Sequence, residues 1–201
     1  MYLVKLSEKK LSVNRIVRMV RKQKRGYLVQ QGISLMTYKG NPADFRVSVQ
    51  KDGLGKWKCT GVVGRVAKKG AVVTNLHCGG TSLKASELFQ SWDWNEAEME
   101  KKMSGLGIMI AKTLDQSLPH IADLGLDIAL DEQQRPWLIE VNFRDLRITF
   151  RDAGEEGKWR ATFATPIHYA SFLNKQINEQ KQKLMFKNMD EMQAYEPDYI
   201  E

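Results

Sequence analysis

The sequence predicts an α+β fold in which an antiparallel β-sheet is flanked by two or three helices. Three observations carry this. FRVSVQ at residues 45–50 alternates apolar and polar side chains, the period-2 mark of a half-buried strand. Extended runs are separated by turn chemistry at residues 52–56 and 68–70. Residues 95–118 then change to the apolar spacing of a helix. With 201 residues, 42% of them hydrophobic and 27% charged, the chain can bury a core without disulfides, and disordered or collagen-like classes are excluded.

In chain order, residues 2–6 read as a short strand and LSVNRIVRMVRKQK as a basic helix of about four turns ended by Gly26. YLVQQGI at 27–33 reads as a buried strand, and residues 34–44, with Gly40, Asn41 and Pro42, as a loop ending at Asp44. FRVSVQ and WKCTGVVGRV form a hairpin, and AVVTNL at 71–76 is expected as the third antiparallel strand. After the helix at 95–118 come two more strands, LGLDIALD and RPWLIEVN, joined at residues 132–134. A last helix is expected from Pro166 to Lys183, with the proline in its first turn.

The net charge of +7 is confined to one segment. Residues 1–25 carry nine Lys or Arg against Glu8, so the rest of the chain is close to neutral. That segment reads as a solvated helix with an apolar stripe; it lacks the interleaved aromatics of a base-stacking surface, so no specific nucleic acid is expected as partner. Nucleic-acid binding through the basic helix stays as a weaker alternative. Cys59 and Cys78 form no C-x-x-C pair, which favours a reducing cytoplasm. The longest uncharged apolar stretch, residues 105–111, is far below the roughly 20 residues of a membrane helix, and no apolar signal-peptide core follows Met1; neither a membrane nor export is expected.

The last hairpin holds the chemistry. Glu140 and Asn142 project to one side of their strand, about 7 Å apart, with Asp127 on the partner strand. Two carboxylates and an amide, without His or Cys, suit Mg2+ or Mn2+ rather than zinc, and Mg2+ so held bridges to phosphates. Acidic residues at a hairpin end are also ordinary solvated groups, and Asn142 an ordinary strand-ending residue. Arg46 and Arg65 offer planar forks for phosphate oxygens, or surface ion pairs. Asn75 precedes a Gly-Gly pair that admits a close ligand or makes a plain turn. The Walker and Rossmann glycine patterns are both missing. His77 is read as structural ahead of a general base, His120 and His168 receive no role, and the five tryptophans are read as packing.

Taken together, YLVQQGI, ADFRVSVQKDGLGKWKCTGVVGRVAKKGAVVTNLHCGG and LGLDIALDEQQRPWLIEVN resemble the carboxy-terminal part of an ATP-grasp domain of the endospore coat-associated YheC/YheD-type branch. They are also similar to the ligases that add glutamate to ribosomal proteins. The resemblance covers roughly residues 2–173, and the spacing from Asp127 to Glu140 to Asn142 matches the family's magnesium triad. It implies ATP and Mg2+ as cofactors. Gln31, Gly32 and Ile33 would line adenine, Asp44 would lie near the ribose, and Thr74 and Asn75 near the phosphates. Arg46 and Arg65 would be the catalytic arginines facing phosphates or an acyl-phosphate. The implied reaction is that of a carboxylate-amine ligase, with carboxylate and amine substrates that the sequence does not identify; spore-coat proteins are implied partners.

Residues 1–33 are then expected as a remnant of the first subdomain, 34–175 as the second subdomain, and 176–201 as a helix end and tail. The family's phosphate-binding lysine strand and glycine-rich lid would precede Met1. After Asn142, FRDLR replaces a proline-containing turn, and Cys78 stands where the ribosomal-protein ligases carry arginine. These departures keep a noncatalytic nucleotide-binding or interaction module as the alternative to a ligase.

Overall fold

The structure is a computed structural model that describes residues 12–22, 32–71, 74, 79–118 and 120–193. The chain divides into two units, residues 1–34 and 35–201. In the first, α1 (Val13–Arg21) is shorter than the four turns expected and ends at the Lys22 cap. Arg15 and Arg18 lie between the apolar positions Val13, Ile16, Val17 and Val20, and Arg21 follows them. Gly26, the strand expected at 2–6 and most of YLVQQGI lie outside the described residues, and Gly32 and Ile33 are in neither helix nor strand.

The second unit is an antiparallel sheet of β1 (Thr37–Tyr38), β2 (Asn41–Lys51), β3 (Trp57–Val66), β4 (Thr81–Lys84), β5 (Asp123–Leu130) and β6 (Pro136–Asn142). The order is β4-β3-β2-β5-β6, with β1 also paired to β2. Helices α2 (Ala85–Ser91) and α3 (Glu96–Ser117) follow β4, and α4 (Ile148–Asp152) and α5 (Glu156–Gln193) follow β6. The expected α+β class is therefore observed.

One face is hydrocarbon. Phe45, Val47 and Val49 of β2 and Leu124 and Leu126 of β5 are fully buried there with Met99, Met103 and Ala111 of α3. A Cβ on Gly107 would stand 2.9 Å from Val49 Cγ2, so the missing side chain lets α3 cross close to the sheet. Phe45 stacks on Phe89 of α2 with centroids 5.1 Å apart. The Asn95 side chain caps α3 by accepting from the Glu98 amide.

Several expectations are corrected. Lys39 and Gly40 both have positive φ and close a two-residue turn of the type I′ kind, so the strand begins at Asn41 and Asp44 lies inside it rather than in a loop. Of residues 71–76 only Ala71 and Thr74 are described, and neither is in a strand; the third antiparallel strand is β4, paired to β3. Pro166 lies inside α5 instead of opening the last helix. The carbonyl four residues back, at Thr162, accepts from Gln50 Nε2 at 2.8 Å and from Arg147 Nε at 2.9 Å, so the bond a proline withdraws is replaced by two side chains. At 7 and 5 residues, α2 and α4 are too short to show a helical period.

Candidate functional site

The second face of the sheet is polar and largely buried. On β2 the side chains Asp44, Arg46, Ser48 and Gln50 alternate with the hydrocarbon set, and all four are buried. Register brings their partners. Arg65 on β3 is opposite Asp44, while Asp127, Gly125 and Asp123 on β5 are opposite Arg46, Ser48 and Gln50.

These groups form a ladder of charge-assisted hydrogen bonds. Arg65 donates from Nε and Nη2 to the two oxygens of Asp44, at 2.8 and 2.7 Å, and Thr74 Oγ1 donates to Asp44 Oδ2 at 2.6 Å. Asp127 stands between the two arginines: Arg46 Nε lies 2.9 Å from its Oδ1 and Arg65 Nη2 3.0 Å from its Oδ2. Arg46 Nη1 donates to Asp145 Oδ1 at 3.1 Å, and Ser48 Oγ donates to Asp145 Oδ2. Further along, Gln50 Nε2 donates to Asp123 Oδ1 at 2.9 Å, and Arg147 donates to the other Asp123 oxygen. Buried charges are tolerable only when so paired, because each uncompensated one costs several kcal/mol.

Burial pulls the Arg65 guanidinium down, but Asp44 and then Asp127 outweigh it and hold its pKa above the usual range. Burial pushes the Asp123 carboxyl above its ordinary value, against the opposing pull of Gln50 and Arg147. Each arginine also keeps one terminal nitrogen, Nη2 of Arg46 and Nη1 of Arg65, with no partner among the described residues.

The candidate metal ligands lie on this same face. Glu140 on β6 is opposite Asp127, and Asn142 is opposite Gly125. Among the described residues, two buried side-chain polar atoms have no hydrogen-bond partner, Ser82 Oγ and Asn142 Nδ2. Ser82 is opposite Arg65 and Asn142 opposite Gly125, so both flank the ladder. An unpartnered buried polar atom costs about 1–3 kcal/mol unless something outside the chain serves it. No group of three His, Cys, Asp or Glu that could hold a metal occurs among the described residues. The set of Asp127, Glu140 and Asn142, two carboxylates and an amide, is of the hard-oxygen kind that fits Mg2+ in donor type. Both Asp127 oxygens already face guanidinium groups, so this carboxylate must yield at least one of them to serve a cation.

The structure thus brings Asp44, Arg46, Arg65, Thr74 and Asp127 into one cluster, with Glu140 and Asn142 at its border. Gly32 and Ile33 belong to the other unit, and Gln31, Asn75, His77 and Cys78 lie outside the described residues. Sequence reasoning missed Asp145, Asp123 and Arg147. Asp145 arrives from the segment after β6, where no strand period announces which way a side chain points.

A model of the YheC/D-like ATP-grasp family matches residues 5–173. The chain is 30% identical over 149 residues to the endospore coat-associated protein YheD of Bacillus subtilis (strain 168), covering 74% of this chain and 33% of that protein. It is 26% identical over 165 residues to YheC of the same organism, covering 78% of this chain and 42% of YheC. The chain therefore spans less than half the length of either relative. No solved structure matches it.

Proposed function

This chain belongs to the YheC/D-like ATP-grasp family, and from that premise we propose that its polar sheet face takes the phosphate end of a Mg-nucleotide. The chain is the metal- and phosphate-holding part of an ATP-dependent enzyme of the carboxylate-amine ligase type. The observation that carries the reading is the pair of buried arginines sharing Asp127, each with a terminal nitrogen that no described residue engages. A planar guanidinium so held offers phosphate oxygens directed N–H donors, and its position is fixed before the ligand arrives.

Asp127, Glu140 and Asn142 would hold Mg2+, which when bound neutralises and orients phosphate oxygens. Arg46 and Arg65 would stabilise charge as a carboxylate attacks the γ-phosphate and an amine then displaces phosphate from the acyl-phosphate. On the phosphate side Asp44 would hold Arg65, and Thr74 would hold Asp44 through its hydroxyl. Gln31, Gly32 and Ile33 are assigned to adenine and Asn75 to the phosphates. The names of the two relatives extend the proposal to association with the spore coat, with spore-coat proteins as partners, and two cysteines outside any C-x-x-C pair support a cytoplasmic location. Lys22 and the arginines of α1 support only sequence-independent, salt-sensitive contact with nucleic acid.

Calorimetry on the 201-residue chain tests the reading. Both arginines are already engaged by carboxylates with which a phosphate must compete, so Mg-ATP should bind with roughly −5 to −6 kcal/mol, in the high micromolar range. Inorganic triphosphate should compete and adenosine should not. A chain that binds neither Mg-ATP nor triphosphate sinks the proposal. The noncatalytic alternative is favoured by one observation, that both arginines are already neutralised by Asp44, Asp127 and Asp145. Binding of Mg-ATP without release of ADP in the presence of varied carboxylates and amines would select it.

A further inference from the structure

Asp145 has no counterpart among the assigned ligands, and its side chain is fully buried. It comes from the irregular segment between β6 and α4 and reaches down to the sheet over Gly125. A Cβ built on Gly125 would stand 2.6 Å from Asp145 Oδ1 and 2.8 Å from Arg46 Nη1. The missing side chain is therefore the space in which the carboxylate meets the arginine. Ser48 holds the other oxygen of Asp145.

We infer that Asp145 is the positioning residue that keeps Arg46 in place when Asp127 turns to a divalent cation. The inference rests on the nucleotide reading above. Asp127 is shared, with one oxygen for each arginine. When it is drawn to a cation, Arg65 keeps Asp44, which holds it by two bonds. Arg46 has no such partner opposite it in register, because the residue there is Asp127 itself. Asp145 supplies the second carboxylate from outside the sheet. Without it, a cation at Asp127 would leave the Arg46 guanidinium buried with no carboxylate partner, and that penalty is charged against cation binding.

The test is Mn2+ titration of the full chain by calorimetry in four forms: wild type, D145N, R46Q and the double variant, with thermal unfolding recorded for each. Asn keeps the shape of Asp145 and removes its charge. D145N should weaken Mn2+ about tenfold, as loss of an outer partner of a ligand does. In the R46Q background the same change should matter less than about twofold, because the group that Asp145 restrains is gone. An equal loss in both backgrounds would mean that Asp145 acts only as a negative charge, and unchanged affinity in D145N would mean that it only stabilises the fold; either result overturns the inference while leaving the nucleotide reading intact. A wild-type chain that binds no Mn2+ overturns the inference, and the nucleotide reading then stands or falls by its own Mg-ATP and triphosphate calorimetry. Should D145N fail to fold, S48A decides. It preserves every charge, frees one Asp145 oxygen and should weaken Mn2+ roughly threefold, and unchanged affinity there overturns the inference.

Discussion

Gln50 on the central strand donates its side-chain amide at 2.8 Å to the main-chain oxygen of Thr162, the carbonyl that Pro166 leaves without its usual helical donor. Replacing a proline inside a helix by alanine ordinarily gains up to about 3 kcal/mol. Here Gln50 and Arg147 already satisfy that carbonyl, so Pro166→Ala should gain less than about 1 kcal/mol. Urea unfolding measures it, and a gain near the full value would show that the two side chains do not compensate.

Two glycines of α3 should respond with opposite signs. Nothing lies within 4 Å of a Cβ on Gly105, whereas one on Gly107 meets Val49 at 2.9 Å and Val47 and Leu126 at 3.4 Å. Gly105→Ala should stabilise the fold by about 0.5–1 kcal/mol, through lower backbone entropy in the unfolded chain. Gly107→Ala should cost about 1–3 kcal/mol by overpacking. The same sign for both in urea titrations would contradict the close crossing of α3.

Within the ladder, the number of remaining partners sets the cost of each loss. Asp127→Asn leaves Arg46 with Asp145 and Arg65 with Asp44, and should cost only about 1–2 kcal/mol. Arg65→Met strips Asp44 of both guanidinium bonds, leaving it the Thr74 hydroxyl, and should cost about 3–5 kcal/mol. Chemical denaturation that reverses this order would refute the assigned pairing.

Asp131 makes the turn between β5 and β6 sensitive to acid. Burial would raise its carboxyl, but the Trp137 indole and the main chain and guanidinium of Arg135 outweigh that and hold it near 2, against an ordinary 3.8. A lowered native value stabilises the fold above the ordinary one and is lost as pH falls through the native one. Asp131→Asn should therefore lower the urea midpoint at pH 5–7, with the gap to wild type closing between about pH 4 and pH 2. A gap that stays constant over that range would remove the carboxylate from this role.

The parts of the fold legible in the sequence are those with a period. The alternation through residues 45–50 separates Phe45, Val47 and Val49 from Arg46, Ser48 and Gln50; both sets are buried, and their partners tell them apart, the hydrocarbon cluster for the first and the polar ladder for the second. The spacing across the last turn places Asp127 and Glu140 opposite each other. Asp145 and Arg147 were illegible because neither lies in a strand, and their direction is set by Gly125 and by the Thr162 carbonyl, far along the chain. Pro166 misled because proline is common in a first helical turn, and nothing local announces that Gln50 will replace the missing donor. The brief strand β4 carries too few residues for alternation to show.

A sheet with hydrocarbon on one face and an ionic ladder on the other meets sequence drift unevenly. On the Phe45 and Leu126 side, exchanges among Leu, Ile, Val and Met that conserve volume cost less than about 1.5 kcal/mol, so substitutions can accumulate there one at a time. On the ionic side the cost depends on the residue: Asp127 is backed by Asp44 and Asp145, whereas loss of Arg65 strands Asp44, so steps at the guanidiniums are scarce and tolerated ones come in matched pairs. Descendants of this chain that give up the ladder's chemistry are thus expected to lose its carboxylates and guanidiniums together, and a lineage holding one without the other would mark an intermediate short of stability.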